Sequence, residues 1–314
     1  MATKRAALIY NPKSGRHSGP GQLPKLLSVL ETAGFDTEPR PTPAPGAATA
    51  MVRELVAGTG VDAVFGLGGD GTLREVAAGL LGTEVPLGIL PAGTANVLAI
   101  ALGLPGTSMK AATAMASCEV GTFDVGMAED QPFLMMASGG VDAAVMARPN
   151  PWLKKNLGKV GIALSGLGHL GSYRFPEMTL RFGGRTETVG FFSICNIPLF
   201  GGPFRLAPDA DWHDDELDLV LFRGRTRLAT LGLATSVALG SHLRRRDVEV
   251  HRVKEVEILG PLPHGLQVDG DVLPLEPPIR VRLAKRRLHV LMPPDRVRRS
   301  EQRGGLTVAA GVGG

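Results

Sequence analysis

The chain has 314 residues, enough for two domains with sizeable cores, and its 44% hydrophobic and 20% charged residues are ordinary for a globular protein. Glycine and proline are plentiful, at 42 and 24, yet fall short of the share at which disorder becomes the default, so many turns are expected. The net charge of +4 is gathered in Lys154, Lys155 and Lys159, in Arg244, Arg245 and Arg246, and in Lys285, Arg286 and Arg287, which suits an anionic partner; with 5% aromatic residues and no recognised motif, nucleic acid is not expected.

Cys118 and Cys195 are too few and too far apart for a disulfide framework or a metal knuckle, which points to a reducing compartment. The apolar run in "MATKRAALIYNP" is too short for a signal peptide. "VGFFSICNIPLFGGPF" is long and uncharged, but Pro198, Pro203 and its paired glycines argue against a membrane helix. The expectation is a soluble, cytoplasmic protein that associates with membranes only at their surface.

In chain order, "AALIY" predicts a strand, and Leu23, Leu26, Leu27 and Leu30 predict a helix stopped at Gly34. "AATAMVRELVAG" reads as a helix and "VDAVFGL" as a strand. Leu73, Val76, Ala77 and Leu80 mark another helix, "VPLGILP" a strand and "TANVLAIALGL" a helix. This alternation predicts a parallel sheet covered on both faces. From about residue 120, short strand-like runs predict an antiparallel sandwich, interrupted by one helical stretch, "RLATLGLATSVALGSHL". "RGGLTVAAGVGG" reads as a frayed tail.

"VFGLGGDGTLREVAAGLL" places a glycine turn between a strand and a helix. Gly66, Gly68 and Gly71 fit the dinucleotide fingerprint, but the next strand runs into "AGTANV", which has no carboxylate to hold a ribose; a Walker loop is absent too. What remains is a helix amino terminus behind glycines, where backbone N–H groups can approach a phosphate. "GTAN" at Gly93 to Asn96 repeats the design after the next strand. Either loop alone reads as a plain turn with a cap. Together, at the ends of neighbouring strands, they predict one anion-binding crevice.

These motifs, with "NPKSG", "PLGILPAGTANVLA", "FDVG", "NIPLFGG", "HDDELDL" and "VDGD", make the sequence resemble the diacylglycerol kinase catalytic-domain family, which includes bacterial lipid kinases and sphingosine kinases. The likeness spans nearly the whole chain. It implies an ATP-binding α/β domain over residues 1–122 with 288–300 returning to it, a β-sandwich acceptor domain over 123–287, a cleft between them, and a tail at 301–314. It also implies that Gly68, Gly69, Asp70, Gly71 and Thr72 cradle ATP phosphates, with Gly93 and Thr94 from the second loop, and that Asn11 and Thr42 contact nucleotide.

Phosphoryl transfer uses Mg²⁺ and a base for the acceptor hydroxyl. The carboxylates near glycine turns are Asp70, Asp124, Asp269 and Asp271; the last two flank Gly270, and a solvent-exposed turn is the alternative reading there. By resemblance, Asp271 is the general base, where aspartate replaces the commoner glutamate, and Asp70 and Asp124 support a catalytic Mg²⁺. Many relatives carry an aspartate in that metal network where this chain has Val97. "DWHDDELDL" resembles a structural Mg²⁺ segment, with Asp215 as carboxylate ligand and the carbonyls of Trp212 and Leu217 as backbone ligands. The usual glycine there is Glu216, and an ordinary acidic loop is the alternative. His17, His169, His213 and His242 have no acid or nucleophile at informative spacing, so a hydrolase triad is not expected.

The expected function is an ATP- and Mg²⁺-dependent lipid kinase acting on a diacylglycerol-like or sphingoid acceptor at an anionic phospholipid surface, with a homodimer left open. The alternatives are a non-catalytic lipid- and nucleotide-binding regulator, and a kinase of a soluble acceptor resembling NAD kinase.

Overall fold

The computed structural model describes residues 3–12, 22–58, 60–147 and 173–298. Most of "NPKSG", Trp152, Leu153, the lysines at 154, 155 and 159, His17, His169 and the tail at 301–314 lie outside the described residues. The chain divides into two compact units. One runs to Asp124 and resumes at Lys285; the other is Val125–Ala284.

The first unit contains β1 (Lys4–Tyr10), α1 (Leu23–Thr32), β2 (Phe35–Pro41), α2 (Ala48–Gly58), β3 (Ala63–Gly68), α3 (Asp70–Leu80), β4 (Leu87–Pro91), α4 (Val97–Ala101), α5 (Ser108–Ala114) and β5 (Glu119–Phe123). Its sheet has the order β2-β1-β3-β4-β20-β5, where β20 is Leu288–Met292 near the chain's end. Pairing is parallel from β2 to β20, and β5 closes the edge antiparallel, so the sheet is mixed rather than all parallel. β3 and β4 are buried throughout, as strands covered on both faces must be. The stripe of Leu73, Val76, Ala77 and Leu80 is buried to 2% exposure or less. The predicted helix after "GTAN" is cut to five residues because Gly103, at φ +73, takes a conformation that ends it.

The second unit contains β6 (Gly126–Ala128), β7 (Gln131–Phe133), β8 (Met136–Gly139), α6 (Val141–Ala147), β9 (Met178–Phe182), β10 (Arg185–Val189), β11 (Phe191–Cys195), β12 (Leu199–Phe200), β13 (Phe204–Arg205) and β14 (Leu217–Phe222). It continues through α7 (Arg227–Ala238), β15 (Val248–Val253), β16 (Glu255–Gly260), β17 (Leu266–Val268), β18 (Asp271–Leu273) and β19 (Ile279–Leu283). Two antiparallel sheets, ordered β10-β9-β16-β19-β6-β7 and β15-β14-β11-β8-β17-β18, share one core. Phe192, Ile194, Leu219 and Leu221 from one sheet meet Leu180, Val256, Ile258 and Val281 from the other in one buried cluster. This is the expected sandwich. Among the described residues, no helix is long and apolar enough to cross a membrane.

Candidate active site

The parallel register of the first sheet sets four strand ends side by side: Tyr10 lies opposite Pro41 and Leu67, and Gly68 opposite Pro91. The residues that follow these strands therefore share one edge. Asn11 leaves β1, and Thr42 leaves β2 with its N–H donating to the Tyr10 carbonyl at 2.8 Å. The glycine turn from Gly68 to Thr72 leaves β3. Gly93 and Thr94 follow β4, where the Ala92 N–H donates to the Gly68 carbonyl at 2.8 Å. The predicted crevice of two loops is thus one continuous backbone surface.

Two of its glycines have no room for a side chain of their own. A Cβ on Gly68 would lie 2.6 Å from Cβ of Thr72, and one on Gly93 would lie 2.6 Å from Cα of Gly69. Asn96 adopts the left-handed conformation, φ 49, and its Oδ1 accepts the Gly93 N–H at 2.8 Å, which holds the second loop in shape. Glu75, in "GGDGTLRE", accepts from the N–H groups of Gly46 and Ala48 at 3.0 and 3.2 Å. It thereby ties the loop after Thr42 to α3. Sequence reading gave Glu75 no part, since its partners lie 29 and 27 residues away.

Asp70 opens α3, where the helix dipole favours a carboxylate, and it reaches across to the second loop. Its two oxygens accept the N–H groups of Val97 and Leu98 at 3.2 and 3.3 Å. Val97, where the resemblance led us to expect another acid, is a 4% exposed core residue that contributes its backbone instead. Asp124 is 3% exposed and accepts from Nε of Arg287 at 2.7 Å. The pair forms because "AKRRLH" returns to the first unit and puts a guanidinium against this carboxylate. Asp70 places a carboxylate, the donor type that Mg²⁺ takes, between the two glycine loops.

In the second unit, "VDGD" forms a two-residue hairpin joining β17 to β18, with Asp269 at φ 49 and Gly270 at φ 93, the geometry of an Asp-Gly turn. The two acids part company there. Asp269 is 4% exposed, and its carboxylate accepts the N–H groups of Leu134, Met135 and Met136 at 2.6, 2.9 and 3.0 Å. The expectation that it shares in catalysis meets a carboxylate already bound to three amides, which fastens the hairpin to β8. Asp271 is exposed on β18, an edge strand.

Behind this hairpin α6 packs on β8, β17 and β18 and brings in a polar group that sequence reading missed. Asp142 accepts from the Ser138 hydroxyl and from the Ala143 N–H, and Ser138 also lies 3.0 Å from Oε1 of Gln267. Burial pushes the Asp142 carboxyl up to about 6, against the pull of these hydrogen bonds. Its folded-state value thus lies above the usual value of about 4, so the stability it contributes is present below pH 4 and is lost as pH rises through 6. Asp142→Asn removes that loss. Urea denaturation across this range should show the variant gaining on the wild type as pH rises from 4 to 7, whereas a constant difference would contradict the assignment. Asp214 and Asp218, also pushed up to about 6 by burial, drift alike in both proteins.

The 211–218 loop is closed by a cation of the chain's own: Arg252 pairs with Asp214 and Glu216. Asp215 takes φ 59, Trp212 is buried, and Leu217 is buried at the start of β14. No group of three acidic, histidine or cysteine side chains with metal-holding geometry occurs among the described residues. The expected Mg²⁺ ligands, one carboxylate from Asp215 and the carbonyls of Trp212 and Leu217, are a different kind of set, and these ion pairs of Arg252 fall on its neighbours Asp214 and Glu216. Burial pushes the Cys118 and Cys195 thiols up to about 11 and about 12, which leaves neither as a nucleophilic thiolate.

Comparison with known proteins gives the family and the fold. Residues 5–128 match the diacylglycerol kinase catalytic domain, and residues 135–292 match the YegS C-terminal NAD kinase beta sandwich-like domain. The chain is 30% identical to a protein of Bacillus subtilis named diacylglycerol kinase, over 93% of this chain and 98% of that one. A Staphylococcus aureus protein of the same name is 30% identical over 85% and 86%. A crystal structure titled as a diacylglycerol kinase from Bacillus anthracis superposes with a TM-score of 0.75 at 23% identity, covering 94% of this chain and 99% of that one, and so shares the fold.

Proposed function

Because the chain belongs to the diacylglycerol kinase catalytic-domain family, we propose that it is an ATP-dependent lipid kinase that moves the γ-phosphate to a hydroxyl of a diacylglycerol-like or sphingoid lipid. The observation that carries this reading is the close approach of the two glycine loops at one sheet edge, where a Cβ on Gly93 would meet the backbone of Gly69. Amides from Gly68 to Thr72, with Thr94, receive the phosphates, as helix amino termini behind glycine turns do elsewhere, while Gly93, its N–H held by Asn96, lets the second loop lie close against the first. Asn11 and Thr42 flank them and orient the nucleotide. Asp70 would hold Mg²⁺, whose charge neutralises the phosphate oxygens when it is bound. Asp271 takes the proton from the acceptor hydroxyl as its oxygen bonds to the γ-phosphorus and the bond to the β,γ-bridging oxygen breaks, releasing ADP, and Asp269 keeps the hairpin still beneath it.

Two parallel assays with radiolabelled ATP test the reading. The expected result is label on diacylglycerol or a sphingoid base in mixed vesicles, and none on NAD in solution. Label on NAD without vesicles would overturn the lipid assignment. Binding of both ATP and lipid without turnover in Mg²⁺ or Mn²⁺ would favour a regulator instead.

A further inference from the structure

The helix α7 has two apolar faces, and only one of them is covered. Thr230 and Leu233 face the unit's interior, while Leu228, Leu231 and Leu239 are 82%, 37% and 75% exposed. Leu228, Leu231, Thr235 and Ala238 recur at i, i+3, i+7 and i+10, so they form one stripe along the outer face. The stripe continues beyond the helix. α7 packs on β13 and on the turn at His242–Arg244, which bring Phe204 and Leu243, 43% and 46% exposed.

The segment that carries this stripe has charges of one sign. From Leu219 to Arg246 the chain holds no acidic residue and six arginines. Arg223 pairs with Glu187 and Glu249, Arg225 with Glu177, and Arg245 with Asp247 at 2.7 Å. Arg245 is therefore held by an acid of the chain itself, apart from Arg244 and Arg246, with which the sequence groups it for an anionic partner. Arg244 and Arg246 remain exposed beside Leu243, and Arg205 is exposed beside Phe204.

We propose that the outer face of α7, with Phe204 and Leu243, is a membrane-docking surface that enters an anionic phospholipid bilayer shallowly while Arg205, Arg244 and Arg246 meet the headgroups. An apolar stripe with a basic rim is the pattern of helices that lie in the interface plane, with leucine and phenylalanine at the acyl boundary and arginine in the headgroup layer. A second copy of the chain is disfavoured as occupant, because a two-fold contact would set the basic rim against itself with no acid in the segment to match it. The proposal rests on the lipid-kinase reading for its purpose, since an enzyme with a bilayer-dissolved acceptor must reach the bilayer. Its test does not depend on catalysis.

The full chain is sedimented with vesicles of pure phosphatidylcholine and with vesicles containing phosphatidylglycerol, without ATP or acceptor. Wild type should sediment with the anionic vesicles, and salt should weaken this, because surface charge is screened over about 8 Å at physiological ionic strength. Leu228→Gln with Leu231→Gln and Leu239→Gln should lose co-sedimentation, and Arg244→Gln with Arg246→Gln should lose its salt-sensitive part. All three leucines are at least 37% exposed, so the thermal midpoint should hold, and phosphorylation of a short-chain dispersed acceptor should be unchanged. As a second readout, a polarity-sensitive probe on Leu231→Cys should shift to the blue with anionic vesicles. Equal co-sedimentation of wild type and the leucine variant, or a concentration-dependent dimer that the leucine variant abolishes, would overturn the proposal. Vesicle binding without lipid phosphorylation would uphold the docking surface and count against the kinase reading alone.

Discussion

Replacing Asp271 with asparagine is expected to lower lipid phosphorylation by about 10²–10⁴-fold while leaving ATP affinity unchanged, the range that general-base removal produces. The substitution keeps the shape of the side chain and removes its capacity to accept a proton. Asp271 is exposed on an edge strand, so the hairpin should survive the change. The neighbouring Asp269→Asn is the control, because it disturbs the three amide hydrogen bonds that fasten the hairpin and so lowers folding stability first. If Asp271→Asn phosphorylates lipid at the wild-type rate, the base lies elsewhere.

The second large effect is expected at Gly93. An alanine there would bring its Cβ to 2.6 Å from Cα of Gly69 and 3.0 Å from Oδ1 of Asn96. The first obstacle is backbone and cannot swing aside, so the two loops must separate. Overpacking of this kind costs about 1–3 kcal/mol in stability. A charged ligand that loses even one amide hydrogen bond loses about 1.5–3 kcal/mol, roughly ten- to a hundred-fold in affinity. Gly106→Ala serves as comparison, because its Cβ would meet nothing within 4 Å. Thermal unfolding and ATP titration of both variants separate a local effect from a general one. Wild-type ATP affinity in Gly93→Ala would show that phosphates do not sit between these loops.

The glycine loops were legible because their role is local: a strand, a glycine turn and a helix start lie within a few residues of one another. The periodic leucines and valines gave the helices of the first unit for the same reason. What stayed hidden depends on distant pairing. Arg287 reads as a solvent-facing cation until the chain's return sets it on Asp124, 163 residues away. In "VDGD" the two acids look equivalent, and only the 134–136 segment, more than 130 residues distant, separates a structural carboxylate from an exposed one. α7 was legible as a helix but not as an exposed apolar one, because periodicity marks an apolar face without saying what covers it.

The central claim is that phosphate binding belongs to the paired glycine loops and proton transfer to Asp271. Calorimetric titration of ATP with Mg²⁺ into wild type, Gly93→Ala and Asp271→Asn tests it most directly. The account predicts equal affinity for wild type and Asp271→Asn, and a loss of roughly tenfold or more for Gly93→Ala, whose loops can no longer meet. Equal affinity in all three proteins, or weakened binding in Asp271→Asn alone, would contradict it.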